Sequence, residues 1–437
     1  MRDESSGPQS PREVMWPILL VALLIVLQAG LINVLQIRTH APIYPVVGFA
    51  FGGDFHEFGW IGADAYKETC PSNDRATHPP FFKQVLASVR FLSNPEGGNR
   101  FFWGNILCIL ISAALSFYLF FPLRRVWAAL AIFAAAFFSY PVLMLLDRGN
   151  IDIWVIFFAL VGIFGISRSK YFFAGSLIAC SIASKVYPAV LLAPLVLQLQ
   201  VRVLVWCALA FVPIYLWAPD AWNCFVSGVL VGRLHQVASY ENGSLFVTSA
   251  WLVNQPFGND DVLSNFLIIG GGAVLIHLLL DLMSNRWKLG PKDRAAWLLL
   301  YLPVTVAFPK TVYHYCLWCL LLLPFAYAYI LSNTASWVLR VLIFFCCVGV
   351  MLSQFPAISL NAIQDVFWGF RRYRPEFYPG LGSLIVFLGH IPVKLMWLQQ
   401  MSVKAKGDRQ VGAETSVAVS NEGAVAIPEP AGGGPSL

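Results

Sequence analysis

The chain has 437 residues, of which 58% are hydrophobic and 12% charged, and a net charge of +6. Soluble domains carry about 25% charged residues, so this composition excludes an ordinary soluble fold. The small, dispersed positive charge argues against a nucleic-acid partner. Several apolar runs exceed the roughly 18 residues that cross a bilayer as a helix. Barrel strands are short and alternate strictly, so the chain reads as an all-α polytopic membrane protein.

Twelve apolar segments follow in chain order: 15–37, 101–121, 126–146, 151–166, 171–184, 186–199, 203–218, 263–283, 295–308, 312–331, 337–353 and 381–399. Arg2 and Arg12 precede the first, as in a signal peptide. That run is longer than a signal core and lacks a small-x-small cleavage site, so it reads as an uncleaved span. Segments 171–184 and 186–199 are too short to cross alone and read as two half-buried helices meeting at "SKVYP". "GGG" at Gly270–Gly272 lies inside a segment and predicts close helix packing. No internal repeat is visible. The stretch 401–437 is rich in Ala, Gly, Glu and Pro and reads as a disordered tail.

Orientation follows from Lys and Arg in the tight connections. Leu123–Arg125, Ser167–Lys170, Arg202 and Asn285–Arg294 are positive, which assigns them to the cytoplasm with residues 1–14 and the tail. The outer side then receives 38–100, 147–150, 184–187, 219–262, 308–312 and 354–380, including a large first loop. The membrane reads as a bacterial inner membrane, with the outer side facing the periplasm.

This topology, built on charge alone, gathers the unusual polar residues at one face. They are Asp54, His56, Glu57, Asp64, His78, Asp147, Arg148, Asn150, Asp152, Lys185, Tyr187, His235, Glu241, Asn242, Ser244, Lys310 and His314. Charged groups at membrane depth are costly and mark functional sites by default. Asp54 and Glu57, three apart, read either as carboxylates serving proton transfer or as acids capping a solvated loop. "THPPFFKQVLASVRFL" (Thr77–Leu92) predicts an amphipathic surface helix, either guiding a lipid or merely covering the loop.

"LLDRGNID" (Leu145–Asp152) predicts a tight outer turn, in which Asp147 and Arg148 pair or Arg148 and Asn150 face substrate. Asp152 lies one step inside the next span and contacts either substrate or a functional lysine. Lys185, between two short helices with Pro188 starting the second, favours phosphate binding; a lysine reaching for the surface is the plainer alternative. Asn242 and Ser244 form an Asn-x-Ser sequon within a long outer loop. Lys310 and His314, four apart at a span's end, share a helical face as a phosphate or sugar contact.

Of the nine cysteines, Cys316 and Cys319 stand at CxxC spacing but lie inside an apolar run, and the set reads mostly as small apolar residues. Cys70 and Cys224 both fall on the outer side, where a disulfide is permitted, but no pairing is predicted. No GxxxxGK[ST], HExxH or GxSxG motif occurs, which excludes the corresponding ATPase, metalloprotease and esterase chemistries.

Taken in order, the outer motifs resemble those of glycosyltransferase family 87. The family's early outer-loop aspartate is matched by Asp54, and its aromatic-Pro-Pro by His78-Pro79-Pro80. Its Gly-Gln-x-Asn is similar to Gly149-Asn150-Ile151-Asp152, with both polar residues changed. Its Lys-x-x-Pro stands intact as Lys185-Val186-Tyr187-Pro188. Its Gly-Asn-Gln-Ser-Leu is similar to Glu241-Asn242-Gly243-Ser244-Leu245. Its Ser-Pro-x-x-Trp-x-His-His is partly kept in Phe308-Pro309-Lys310-Thr311-Val312-Tyr313-His314-Tyr315.

The resemblance spans roughly residues 15–400 as a string of short motifs and implies the multi-span GT-C fold. It implies transfer of a sugar, mannose first, from a polyprenyl-phosphate donor to a lipid-linked or envelope glycan acceptor, with inversion. It makes Asp54 the general base. Glu57, His78, Arg148, Asn150, Asp152, Lys185, Tyr187, Asn242, Ser244, Lys310 and His314 become substrate contacts. The donor is a substrate, so neither a cofactor nor a metal is expected. Two alternatives stand beside it: another lipid-linked sugar such as a pentose, and a polytopic transporter or flippase. A non-catalytic scaffold in envelope assembly is a third.

Overall fold

The computed structural model describes residues 97–120, 151–227, 274–284, 289–302, 304, 319–332, 336–354 and 377–422, with positions 23, 27, 79–81, 85, 139, 142, 145, 146 and 272. All regular structure among the described residues is helical. The helices are α1 (Gly97–Phe120), α2 (Asp152–Ser167), α3 (Tyr171–Ser184), α4 (Leu192–Leu197), α5 (Val201–Trp217) and α6 (Pro219–Cys224). They continue with α7 (Val274–Ser284), α8 (Pro291–Leu299), α9 (Leu323–Ser332), α10 (Trp337–Ser353) and α11 (Phe377–Glu422). A 3-10 turn, Tyr187–Leu191, joins α3 to α4.

By length and composition, Arg100–Leu119 and Leu381–Val403 are long and apolar enough to cross a membrane. The pair α5–α6 qualifies as a third when its 102° bend is spanned. Pro219 explains the bend: it opens α6, cannot donate to the carbonyls of α5, and leaves Ala218 with φ −151°. The indole of Trp222 closes the corner by donating to the Ile214 carbonyl at 3.2 Å.

Close approach of helix backbones needs small residues at the crossings, since lipid tails provide no hydrophobic drive between helices. A Cβ on Gly165 of α2 would stand 3.1 Å from Ala174 Cβ of α3. On Gly175 of α3 it would stand 2.6 Å from the Val203 carbonyl of α5. These contacts stack α2, α3 and α5 side by side, with α1 also against α2. Gly272 behaves otherwise: it is exposed and no described atom comes within 4 Å of its Cβ position. Gly270 and Gly271 lie outside the described residues.

The basic groups gather at one end of this layer. Arg168 stacks over Tyr118 at 5.0 Å, Arg202 over Tyr171 at 5.6 Å, and Arg294 donates to Gln200 at 3.2 Å. The α2–α3 turn at that end closes with Ser169 at φ 56° and Lys170 N–H bonded to the Gly165 carbonyl at 2.8 Å. This is the left-handed helix termination that serves orphan carbonyls.

At the C-terminal side, α11 continues unbroken to Glu422. The helix therefore enters the 401–437 stretch that composition assigns to disorder. Met401–Glu422 contains many good helix formers, and adding residues to a packed helix avoids the cost of nucleation.

Candidate functional site

The end of α3 is set by Pro188. Proline cannot donate to the Ser184 carbonyl four residues earlier, and its ring clashes there. The helix stops at Ser184, and Lys185 takes an extended conformation (φ −151°, ψ 144°). The chain then re-enters the 3-10 turn with Tyr187 at its start. This local break frees Lys185 from the helix surface and turns Tyr187 inward, where it is buried.

Asp152 occupies the first turn of α2, where the helix dipole favours negative charge. Antiparallel packing brings that N-terminus beside the C-terminus of α3. Ser181 Oγ donates to the Val155 carbonyl at 2.7 Å and helps set the register between the two helices. Lys185 Nζ donates to Asp152 Oδ2, forming an ion pair, while Tyr187 OH donates to Asp152 Oδ1 at 3.1 Å. The Asp152 side chain is fully buried, and that of Lys185 is 12% exposed. A buried carboxylate thus holds an ammonium that retains access to the outside of the bundle.

Neighbouring groups shape this corner. Trp154 Nε1 donates to Asn105 Oδ1 of α1 at 2.7 Å. The Cys319 thiol, just before α9, lies within electrostatic reach of Asp152. Ala183, Ile214, Trp222 and Phe225 form an apolar cluster, against which Phe81 and Val186 pack. Phe81 belongs to the predicted surface helix; Pro80, Phe81 and Val85 are helical, and Pro79 and Pro80 are buried. Cys224 of α6 is disulfide-bonded to a residue outside those described, a pairing the sequence reading leaves unpredicted.

The sequence reading offers Asp152 a contact with substrate or with a functional lysine; the structure places it against Lys185, and Tyr187 joins them. Asp54, Glu57, His78, Arg148, Asn150, Asn242, Ser244, Lys310 and His314 lie outside the described residues. Among the described residues no three of His, Cys, Asp and Glu converge in a metal-holding group.

A second polar cluster went unmarked in the sequence. Lys394 of α11 is fully buried, 3.5 Å from Asp281 Oδ1 of α7 and 4.5 and 4.3 Å from the Trp297 and Tyr301 ring centres. Trp297 Nε1 donates to the same Asp281 oxygen. Tyr327 OH bonds His390 Nδ1 at 3.1 Å, and the His277 ring lies 6.4 Å from that of His390. The signal was available: His277 and Asp281, like His390 and Lys394, are ionisable residues four apart inside apolar segments.

The fold and site define a class: a helical membrane protein with a buried carboxylate pairing a partly accessible ammonium at one end of its helices. The model of glycosyltransferase family 87 matches residues 76–309, just over half of the 437. The chain belongs to that family and is a membrane glycosyltransferase acting on a sugar donor and an acceptor. The matched region contains Asp152, Lys185 and Tyr187, whereas Asp54, Lys310 and His314 lie outside it. No curated protein and no solved structure gives a match.

Proposed function

We propose that the enzyme moves mannose from a polyprenyl-phosphate donor to a lipid-linked or envelope glycan, with inversion, in a GT-C fold of about twelve membrane segments. The observation carrying this reading is the Lys185 ammonium, held by Asp152 and Tyr187 and 12% exposed where α3 ends. A sugar-phosphate leaving group gains negative charge in the transition state, and a preorganised cation stabilises it there. Lysine suits phosphate as a point charge. Asp54 acts as general base, taking the proton from the acceptor hydroxyl as the oxygen attacks the anomeric carbon. Lys310 and His314 add positive charge around the phosphate, and Glu57, His78, Arg148, Asn150, Asn242 and Ser244 contact the substrates.

The membrane is a bacterial inner membrane, with this end of the helices toward the periplasm. Two observations support that orientation. Arg168, Arg202 and Arg294 cluster at the opposite end, as positive residues do on the cytoplasmic side. Cys224, on the α6 corner beside the site, is oxidised, which an extracytoplasmic environment permits.

The test is transfer of radiolabel from polyprenyl-phosphate mannose to glycolipid acceptors by the purified full chain. Product from the wild type, and none from Asp54→Asn with donor binding retained, is the expected result. Equal product from both removes Asp54 from the base role. Binding and turnover of a lipid-linked pentose in preference to mannose would overturn the donor assignment.

A further inference from the structure

We infer that Asp152 is a positioning and specificity-determining residue whose carboxylate orients Lys185 and Tyr187 and limits how much more tightly the site holds a doubly charged lipid phosphate than the singly charged lipid phosphodiester. This rests on the proposed donor class and goes beyond it by assigning a discrimination between donor and product.

The chemistry of the transfer makes such a discrimination useful. The acceptor oxygen forms a bond to the anomeric carbon, and its proton goes to the base. The bond between that carbon and the phosphate oxygen breaks, with its electron pair remaining on the phosphate. The donor, a phosphodiester, carries one negative charge. The lipid phosphate left behind is a phosphomonoester carrying about −1.5 to −2 at pH 7. A site made only of cations binds this product more tightly than the donor and is inhibited by it.

In this chain the carboxylate stands directly against the phosphate-binding cation. Lys185 Nζ is bonded to Asp152 Oδ2, and the second carboxylate oxygen accepts from Tyr187 OH at 3.1 Å. Asp152 is fully buried, so water screens its charge little. Any phosphate that reaches the exposed edge of Lys185 therefore meets an ammonium already part-neutralised. Both lipids gain from the nearer cation, and the carboxylate behind it reduces the extra gain from a dianion's second charge. Among the described residues, the ionisable groups facing Asp152 are Lys185, Tyr187 and Cys319.

The experiment uses the purified full chain in nanodiscs, with polyprenyl phosphate and polyprenyl-phosphate mannose as probes. Equilibrium binding of each is measured for the wild type and Asp152→Asn, alongside product inhibition of transfer. The variant is expected to bind polyprenyl phosphate about tenfold more tightly, with donor affinity changed much less. Its kcat is expected to fall through slower product release. A residue with a merely structural role shifts both affinities together, and that result overturns the proposal.

A second measurement follows both affinities from about pH 5.5 to 7.5, as the phosphomonoester takes its second charge. Relative to the donor, affinity for polyprenyl phosphate is expected to rise less with pH in the wild type than in Asp152→Asn, while loss of the His314 proton acts alike in both. An equal pH dependence in the two proteins overturns the proposal. Absence of transfer together with the expected binding preference overturns the reaction and leaves the charge discrimination standing. Binding of neither lipid overturns both.

Discussion

The buried Asp281–Lys394 pair gives the sharpest quantitative test of the packing. Both side chains are fully buried, with Nζ 3.5 Å from Oδ1, and the ammonium rests against the Trp297 and Tyr301 rings. Removing one partner of such a pair costs about 3–5 kcal/mol, because it strands the other charge. Lys394→Met keeps the length of the side chain and leaves the carboxylate with the Trp297 N–H but no cation, so the full cost of about 3–5 kcal/mol is expected. Asp281→Asn keeps an acceptor for Trp297 and leaves the ammonium on two ring faces. Cation–π attraction of about 2 kcal/mol in a desolvated setting offsets part of that loss, giving about 1–3 kcal/mol. The double variant contains neither charge and is expected within about 1 kcal/mol of the wild type. The coupling between the sites is then about 5 kcal/mol, read from a double-mutant cycle. Equilibrium unfolding in mixed detergent micelles measures all four proteins. A double variant that loses the sum of the two single losses would refute a mutually compensating pair.

Three further outcomes follow from the geometry. Gly175→Ala places a methyl 2.6 Å from the Val203 carbonyl and 2.7 Å from the Cys207 amide, both backbone atoms that yield little. It is expected to cost about 1–3 kcal/mol or more, and an unchanged thermal midpoint would show that α3 and α5 separate freely. Trp154→Phe strands the buried Asn105 Oδ1, at a cost of about 1–3 kcal/mol, and pairing it with Asn105→Leu is expected to recover part of that loss in the same unfolding assay. Lys185→Met is expected to lower the sugar-transfer rate by about 10²–10³-fold with gel-filtration behaviour retained, as for loss of one preorganised oxyanion partner. Full activity in that variant would remove Lys185 from the phosphate role.

The sequence by itself determined the local elements. Tyr171–Ser184 and Trp337–Ser353 begin and end where apolar runs meet "SRSK", Pro188 and Ser336, and the structure keeps those limits. Lipid leaves backbone groups no partner but their own helix, so an apolar run of this kind has one available structure. The break after Ser184 was legible for a similarly local reason, because Pro188 forbids the next helical bond. Each member of the site, Asp152, Lys185 and Tyr187, could be marked as a polar residue at membrane depth.

Their union was decided only by tertiary structure. Asp152 and Lys185 are 33 positions apart, and they meet because Gly162 and Gly165 let α2 lie close against α3 in antiparallel register. The same holds for Asp281 and Lys394, which stand on helices far apart in the chain. At Met401–Glu422 the helix runs on into a stretch whose composition reads as disordered, because continuation from a packed helix avoids the cost of nucleation. Local backbone rules act on neighbours and can be read along a sequence. Which carboxylate neutralises which ammonium depends on the faces that helices turn toward one another, and that choice is made by packing across the whole bundle.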